Sequence, residues 1–188
     1  MEKIILASKS PRRKQLLEWA EIPFEIFVVG TDETFPDDCT PEEASIHVAK
    51  EKAEKVVAEQ GKSHIILAAD TMVVLDDIII GKPVDREDAI RILSGLSGKT
   101  HKVITGVAIL FGDKEITFSD TTTVEFHDLT KAQIEFYVDK YQPYDKAGAY
   151  AIQEWIGVVG IKSVNGDFYN VMGLPVSRVV RAINELTT

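Results

Sequence analysis

A chain of 188 residues that is 45% hydrophobic can bury one real core, and its length suits one domain or two lobes sharing one sheet. Its 30 acidic and 21 basic residues give a formal charge of -9, a sign that excludes a general nucleic-acid coat but leaves room for a local basic pocket around a small phosphate ligand. Cys39 is the only cysteine, which excludes an intrachain disulfide and a cysteine-based metal cluster and suits a reducing compartment.

Residues 1–7 are too short and too soon broken for a signal peptide, and no apolar run approaches membrane-spanning length, so a cytoplasmic chain without a membrane partner is expected. Residues 4–7 read as an all-apolar strand buried on both faces. Ser8-Lys9 is the turn, and Ser10 caps a helix with Pro11 at its first position and Leu16, Leu17 and Ala20 as its apolar stripe. A polar stretch with Thr31-Asp32-Glu33-Thr34 precedes a second helix at Thr40-Pro41, where Glu43 completes a capping box. Its inner face holds Ala49, Ala53, Val56 and Val57.

Residues 65–69 form another all-apolar strand, predicted to end at Asp70-Thr71. Residues 72–75 and 78–80 flank Asp76-Asp77, a hairpin signal, and Gly81-Lys82-Pro83 follows. Asp85 caps a helix with Ala89, Ile90 and Leu93 inside, which breaks around residues 95–98. Residues 103–110 and 115–126 read as neighbouring strands turned at Gly112-Asp113. Thr130 and Gln133 form a second capping box, opening a helix that carries Ile134, Tyr137, Val138 and Tyr141. Residues 144–175 are rich in glycine and aromatics, with strand-like pieces at 155–159 and 168–171. From Pro175 a final helix places Val176, Val179, Val180, Ile183 and Leu186 on one side. The alternation of helix and strand patterns predicts an α/β architecture.

Several residues look out of place for structure alone. Lys9, Arg12, Arg13 and Lys14 crowd a helix start, where the macrodipole disfavours cations but exposed N–H groups bind anions. Arginine forks there, with Ser8 and Ser10 as hydroxyl donors, suit an anion that must be neutralised as well as located. The same residues also read as solvated arginines behind an ordinary serine cap. Lys52 falls between Val48 and Val56 at helical spacing, so its stem runs inward or along a cleft edge, unless its ammonium snorkels to water.

Asp70 closes an apolar strand, and ligands of open α/β sheets gather beyond the carboxyl ends of strands. A carboxylate there can bind a divalent metal or orient an attacking water, or merely cap local backbone. Glu33 is a second carboxylate that periodicity does not tie to Asp70. Lys82 lies in a turn of fairly fixed backbone, facing either a phosphate or solvent. Residues 145–153 have the mixed look of a site loop, in which Gly148 permits close backbone approach and Gln153 can both donate and accept. His47, His64, His101 and His127 lack the paired spacing of a zinc helix, and Ser8 and Ser10 lack an evident positioned base.

Taken in order, Ala7-Ser8-Lys9-Ser10-Pro11-Arg12-Arg13, Asp32-Glu33-Thr34, Lys52-Ala53, Ala68-Ala69-Asp70-Thr71 and Gly81-Lys82-Pro83 resemble the Maf family of nucleoside triphosphate pyrophosphatases. Leu96-Ser97-Gly98, Thr105-Gly106-Val107, residues 145–150, Ile152-Gln153 and residues 170–175 continue the resemblance over essentially the whole chain. The family implies an elongated two-lobed single domain over residues 1–188, with a central mixed β-sheet, flanking helices and an interlobe cleft, often dimeric, so a homodimer is one expected state. It also implies hydrolysis between the α and β phosphates of a nucleoside triphosphate, assisted by Mg²⁺ or Mn²⁺.

Carried over residue by residue, the resemblance makes Ser8, Arg12, Lys52 and Lys82 the polyphosphate-binding set, with Arg13 a participant. Asp70 is the catalytic carboxylate that holds metal or activates water, Glu33 its acidic helper and fellow metal ligand, and Lys82 is counted with them as catalytic. Thr71 and Gln153 line the site. Arg12-Arg13, Thr71 and Gln153 resemble the branch acting on dTTP and UTP, with modified pyrimidine triphosphates as house-cleaning substrates. Rival readings are a broader or 7-methyl-GTP-directed phosphohydrolase and a nonenzymatic nucleotide-binding regulator of cell division. Two departures bear on substrate fit: His47 stands where an arginine is common, and Glu154-Trp155 fills a stretch that is often smaller and glycine-containing.

Overall fold

A computed structural model describes residues 4–187 of the chain. In order, the elements are β1 (Ile4–Leu6), α1 (Pro11–Trp19), β2 (Phe24–Ile26), α2 (Pro41–Gln60), β3 (Ile65–Leu75), β4 (Ile78–Ile80), α3 (Arg86–Leu96) and β5 (Thr100–Phe111). They continue with β6 (Lys114–Phe126), α4 (Lys131–Tyr141), a 3-10 turn (Ala147–Ala149), α5 (Trp155–Gly160), β7 (Ile161–Asn165), α6 (Phe168–Met172) and α7 (Val176–Thr187). The sheet runs β2-β1-β3-β5-β6-β7, with β4 hung on β3. It is mixed: β1 pairs parallel with β2 and β3, whereas β4 on β3 and β7 on β6 are antiparallel. No helix among the described residues is long and apolar enough to cross a membrane.

The chain divides into two compact units. One comprises the chain up to Thr71, Thr105–Asp120 and the segment from Gly173 on; the other comprises Met72–Ile104 and Thr121–Met172. The first unit packs α2 on its strands through small residues. Ala49, Ala53 and Val56 of α2 meet Ile5 and Ala7, Ile66 and Ala68, and Ala108 in one cluster. At Gly106 the helix comes so near that an added Cβ would stand 2.2 Å from the Ser45 backbone carbonyl carbon. Only glycine admits so close a helix–strand approach.

Local capping sets the helix starts as the spacing predicts. Ser10 accepts from the Arg13 N–H behind Pro11, and both capping boxes, Thr40–Glu43 and Thr130–Gln133, are complete. Asp85 accepts from the Asp88 N–H at the head of α3. Asp76 and Asp77 both take left-handed φ values, 50° and 62°, as a two-residue hairpin turn of type I′ demands.

Three expectations need correction. Residues 155–159 are helix, not strand: α5 begins on bonds from the Gly157 and Val158 N–H groups to the Glu154 carbonyl. Residues 168–171 are also helical, because the Asp167 carboxylate accepts from the N–H groups of Tyr169 and Asn170 and starts α6. A short apolar run does not by its period distinguish strand from buried helix. Finally, Asp70 does not end a strand. β3 runs unbroken from Ile65 to Leu75, with Asp70 and Thr71 in its middle, so the strand-end reason for suspecting Asp70 fails. The short strands β2 and β7 add to the elements legible in the sequence.

Candidate active site

Asp70 stays in mid-strand because it has a partner. Lys52 reaches across from α2 and places its ammonium 2.7 Å from Asp70 Oδ1. The same nitrogen lies 2.7 Å from Glu33 Oε1. Lys52 arrives there because Ala49, Ala53 and Val56 hold the neighbouring face of α2 to the core, which turns its stem along the helix flank. The Lys52 and Asp70 side chains are 14% and 16% exposed and Glu33 is 47% exposed, so the cluster opens to solvent on the Glu33 side. The snorkelling alternative for Lys52 therefore gives way to a lysine held between two carboxylates. Glu33 sits in a loop at φ 52°, a left-handed conformation that strains a residue with a Cβ by about 1 kcal/mol or more.

Thr71 faces a different network, centred on Arg13. Arg13 is buried and donates from Nε to the Gly173 carbonyl (2.8 Å), from Nη1 to Ser8 Oγ (3.2 Å) and from Nη2 to Thr71 Oγ1 (2.9 Å). Thr71 Oγ1 also lies 3.0 Å from Thr105 Oγ1. One guanidinium thus ties α1 to the turn after β1, the middle of β3 and the segment entering α7. Burial pulls its pKa down to about 10, while the Asp70 charge pulls the other way, so the group remains a cation at neutral pH. Arg13 is therefore not a solvated surface arginine. The structure gives its fork to protein acceptors, leaving Arg12, partly exposed on the same helix turn, as the more accessible guanidinium.

Ser8 is buried in this network and accepts twice, from Arg13 Nη1 and from the Ser10 N–H at 3.2 Å. A hydroxyl with both lone pairs engaged has its proton left to give. The charges that act on Arg13 are those of Arg12, Asp70 and Glu33, and with Lys52 between the two carboxylates the cluster sets Arg12, Arg13 and Lys52 against Asp70 and Glu33. Their excess is positive, which favours a polyanion inside a chain of net charge -9.

Lys82 and Gln153 belong to the second unit. Lys82 is exposed in the segment after β4, where the Gly81 carbonyl accepts from the Gly148 N–H at 3.2 Å. It lines a concavity of about 450 Å3 with Ile78, Ile80, Asp88 and Arg91. Gly148 is left-handed at φ 69°, and a Cβ there would stand 2.9 Å from Val73, so close approach and turn geometry both require glycine. Gln153 is exposed on the turn before α5. The sequence reading missed Thr105 and Gly173, whose partners lie far away along the chain, and the partly buried pair in which the Tyr137 hydroxyl donates to the Glu154 carboxylate.

Among the described residues no group of three or more His, Cys, Asp or Glu side chains converges as a metal cage. The Glu33–Asp70 pair, gathered on one ammonium, is the smaller donor set that Mg²⁺ takes when substrate phosphates and waters supply its other ligands. By its chemistry that set fits a divalent cation carried in with a polyphosphate.

Fold and site together define an α/β protein with a compact, partly buried charged centre suited to a polyanion. Residues 3–186 match the family model described as Maf-like protein, and the chain belongs to the Maf family. Several relatives bear the name dTTP/UTP pyrophosphatase. That of Parabacteroides distasonis is 45% identical over 182 residues, covering 96% of this chain and 94% of the relative. That of Cytophaga hutchinsonii is 48% identical over 183 residues, covering 97% and 84%. A Bacillus cereus relative is 46% identical over 185 residues, covering 98% and 96%.

Proposed function

We propose that this chain hydrolyses dTTP and UTP, and modified pyrimidine triphosphates of the same shape, to the nucleoside monophosphate and pyrophosphate. Family membership and the near full-length relatives support the reaction. The observation that carries the site assignment is the Lys52 ammonium seated between Asp70 and Glu33 at 2.7 Å from each.

The chain's own residues divide the work as follows. Arg12 and Lys52 offset the triphosphate charge, Ser8 donates its remaining proton to a phosphate oxygen, and Arg13 holds Ser8 and Thr71 in place. Lys82 adds a further cation on the phosphates. Asp70 orients a water toward the α-phosphorus and takes its proton as the new P–O bond forms. The bond to the bridging oxygen breaks and pyrophosphate leaves, so one water is consumed per triphosphate. Charge grows on the non-bridging and leaving oxygens, where fixed cations stabilise the transition state most. Asp70 and Glu33 would hold Mg²⁺ or Mn²⁺, which when bound neutralises phosphate oxygens and polarises the reacting phosphorus. Gln153, with both a donor and an acceptor on its amide, reads the N3–H and O4 edge of uracil or thymine.

A product-resolved assay with Mg²⁺ or Mn²⁺ across natural and modified triphosphates tests the reading. Equal amounts of monophosphate and pyrophosphate are expected, with dTTP and UTP ahead of purine triphosphates. Nucleoside diphosphate with orthophosphate, or saturable binding without turnover, would overturn it.

A further inference from the structure

Glu154 closes a clamp in the second unit. The turn that carries Gln153 runs from Ala151 to Glu154, with the Glu154 N–H donating to the Ala151 carbonyl at 3.1 Å. At its first residue, the Ala151 N–H donates to the Tyr137 hydroxyl at 3.1 Å. At its last residue, the Glu154 carboxylate accepts the proton of that same hydroxyl. Both ends of the turn thus rest on one oxygen atom, itself fixed on α4 by a tyrosine that is 0% exposed. Lys146, also buried, stands 3.7 Å from Glu154 Oε1 and 2.7 Å from Asp145 Oδ1, which gives the carboxylate a counter-charge.

The turn is held from a third side. A Cβ on Gly157 would lie 1.7 Å from the Ile152 carbonyl oxygen, so the first turn of α5 presses directly on the backbone beside Gln153. Phe136 of α4 and Trp155 of α5 meet edge to face at 4.8 Å. Every residue of this turn except Gln153 is buried or partly buried; Gln153 alone is exposed. A side chain left open on a backbone fixed on three sides is the arrangement that presents a recognition group without an ordering cost at binding.

We infer that Tyr137, Glu154 and Lys146 are positioning residues for Gln153, and that they act on nucleotide selection only through it. The inference rests on the proposed contact between Gln153 and the pyrimidine base. Releasing one anchor lets the turn sample other conformations, and the base contact is then made from a fraction of them. Because the triphosphate site needs none of these residues, the loss falls on KM for UTP rather than on kcat.

Steady-state kinetics with UTP on the full chain test this by a double-mutant cycle of Gln153→Ala and Glu154→Ala. Glu154→Ala alone should lower kcat/KM for UTP about tenfold, the size of one lost anchoring hydrogen bond, mostly through KM. In the Gln153→Ala background it should do nothing further, because the group it positions is gone. Glu154→Gln, which still accepts the tyrosine proton, should retain most of the parent value. A merely structural Glu154 would multiply its loss onto that of Gln153→Ala, and that result overturns the inference, as does an unchanged KM in Glu154→Ala. Should Glu154→Ala fail to fold, Tyr137→Phe removes one atom and repeats the cycle with the same expectations. If Gln153→Ala alone matches the parent, the base contact itself is wrong and the clamp's purpose falls with it. If the parent releases no pyrophosphate from UTP, the proposed activity is at fault.

Discussion

Replacing Gly106 by alanine should damage the site from a distance. Gly106 on β5 lies under α2, and its new Cβ would stand 2.2 Å from the Ser45 carbonyl carbon and 2.3 Å from the Ile46 nitrogen. Carbon atoms come to rest at about 3.5 Å or beyond, so helix and strand must part by more than about 1 Å. The obstacle is backbone on both sides, and no side chain can rotate out of the way. Overpacking of this kind costs about 3 kcal/mol, the upper part of its usual range, and should lower Tm by roughly 6–12 °C. Lys52 lies two helical turns beyond Ser45 on the same face, so the shift reaches its 2.7 Å contact with Asp70. A displacement of about 1 Å at reacting groups is worth about 100-fold in rate, and kcat/KM for UTP should fall accordingly. Thermal unfolding and pyrophosphate release, measured on the same preparation, check both halves. A Gly106→Ala variant with parental Tm and turnover would refute the proposition that this helix–strand contact sets the site.

Asp70→Asn keeps the size of the side chain and should cut kcat by about 100-fold or more while Tm moves little, as for loss of a general base; parental turnover in saturating Mn²⁺ would remove Asp70 from the chemistry. Lys52→Met leaves Asp70 and Glu33 facing each other and should destabilise by about 1–2 kcal/mol, below the ~3–5 of a fully buried pair because Glu33 is 47% exposed, and it should raise KM for triphosphate. Denaturant titration and kinetics read the two effects. Arg13→Lys cannot reach Ser8, Thr71 and Gly173 together and should lower both Tm and kcat/KM; calorimetry with the product assay measures it. His101, buried against Phe126 and Tyr150, has its pKa pushed down by desolvation from 6.5 to about 4. The unfolded chain then binds more protons between those values, so stability is whole above pH 6.5 and falls by up to about 3 kcal/mol toward pH 4. Urea midpoints from pH 4 to 7 should show a shallower slope in His101→Gln, and equal slopes would contradict the assignment.

Helix starts were the most legible part of the fold, because a cap is a local pattern: Ser10-Pro11, Thr40 with Glu43, Asp85 and Thr130 with Gln133 all fall within a few residues of what they bind. The same local rule operates at Asp167, whose carboxylate starts α6, but the flanking Phe and Tyr masked it as a strand. Where partners are distant, local reading fails. Asp70 and Thr71 look like a strand end because two polar residues interrupt an apolar run. They lie inside β3 because Lys52, 18 residues away, and Arg13, 58 residues away, satisfy them. The Lys52–Asp70–Glu33 cluster could be named from the family's motif but not built from periodicity, since Glu33 reaches it from a loop. Arg13 shows the opposite limit: the basic helix entry drew notice as an anion site, yet one of its arginines spends its donors inside the protein.

The first unit is assembled from three separated stretches of chain, and the last of them carries Gly173, whose carbonyl anchors the Arg13 guanidinium. During synthesis, therefore, every residue of the second unit has left the ribosome before the first can be completed. Until Gly173 arrives, the Arg13 cation must wait for an acceptor encoded 160 positions later. The network around Arg13 should accordingly close in a single late step, after the stretches of the second unit have been made, and not when Asp70 emerges.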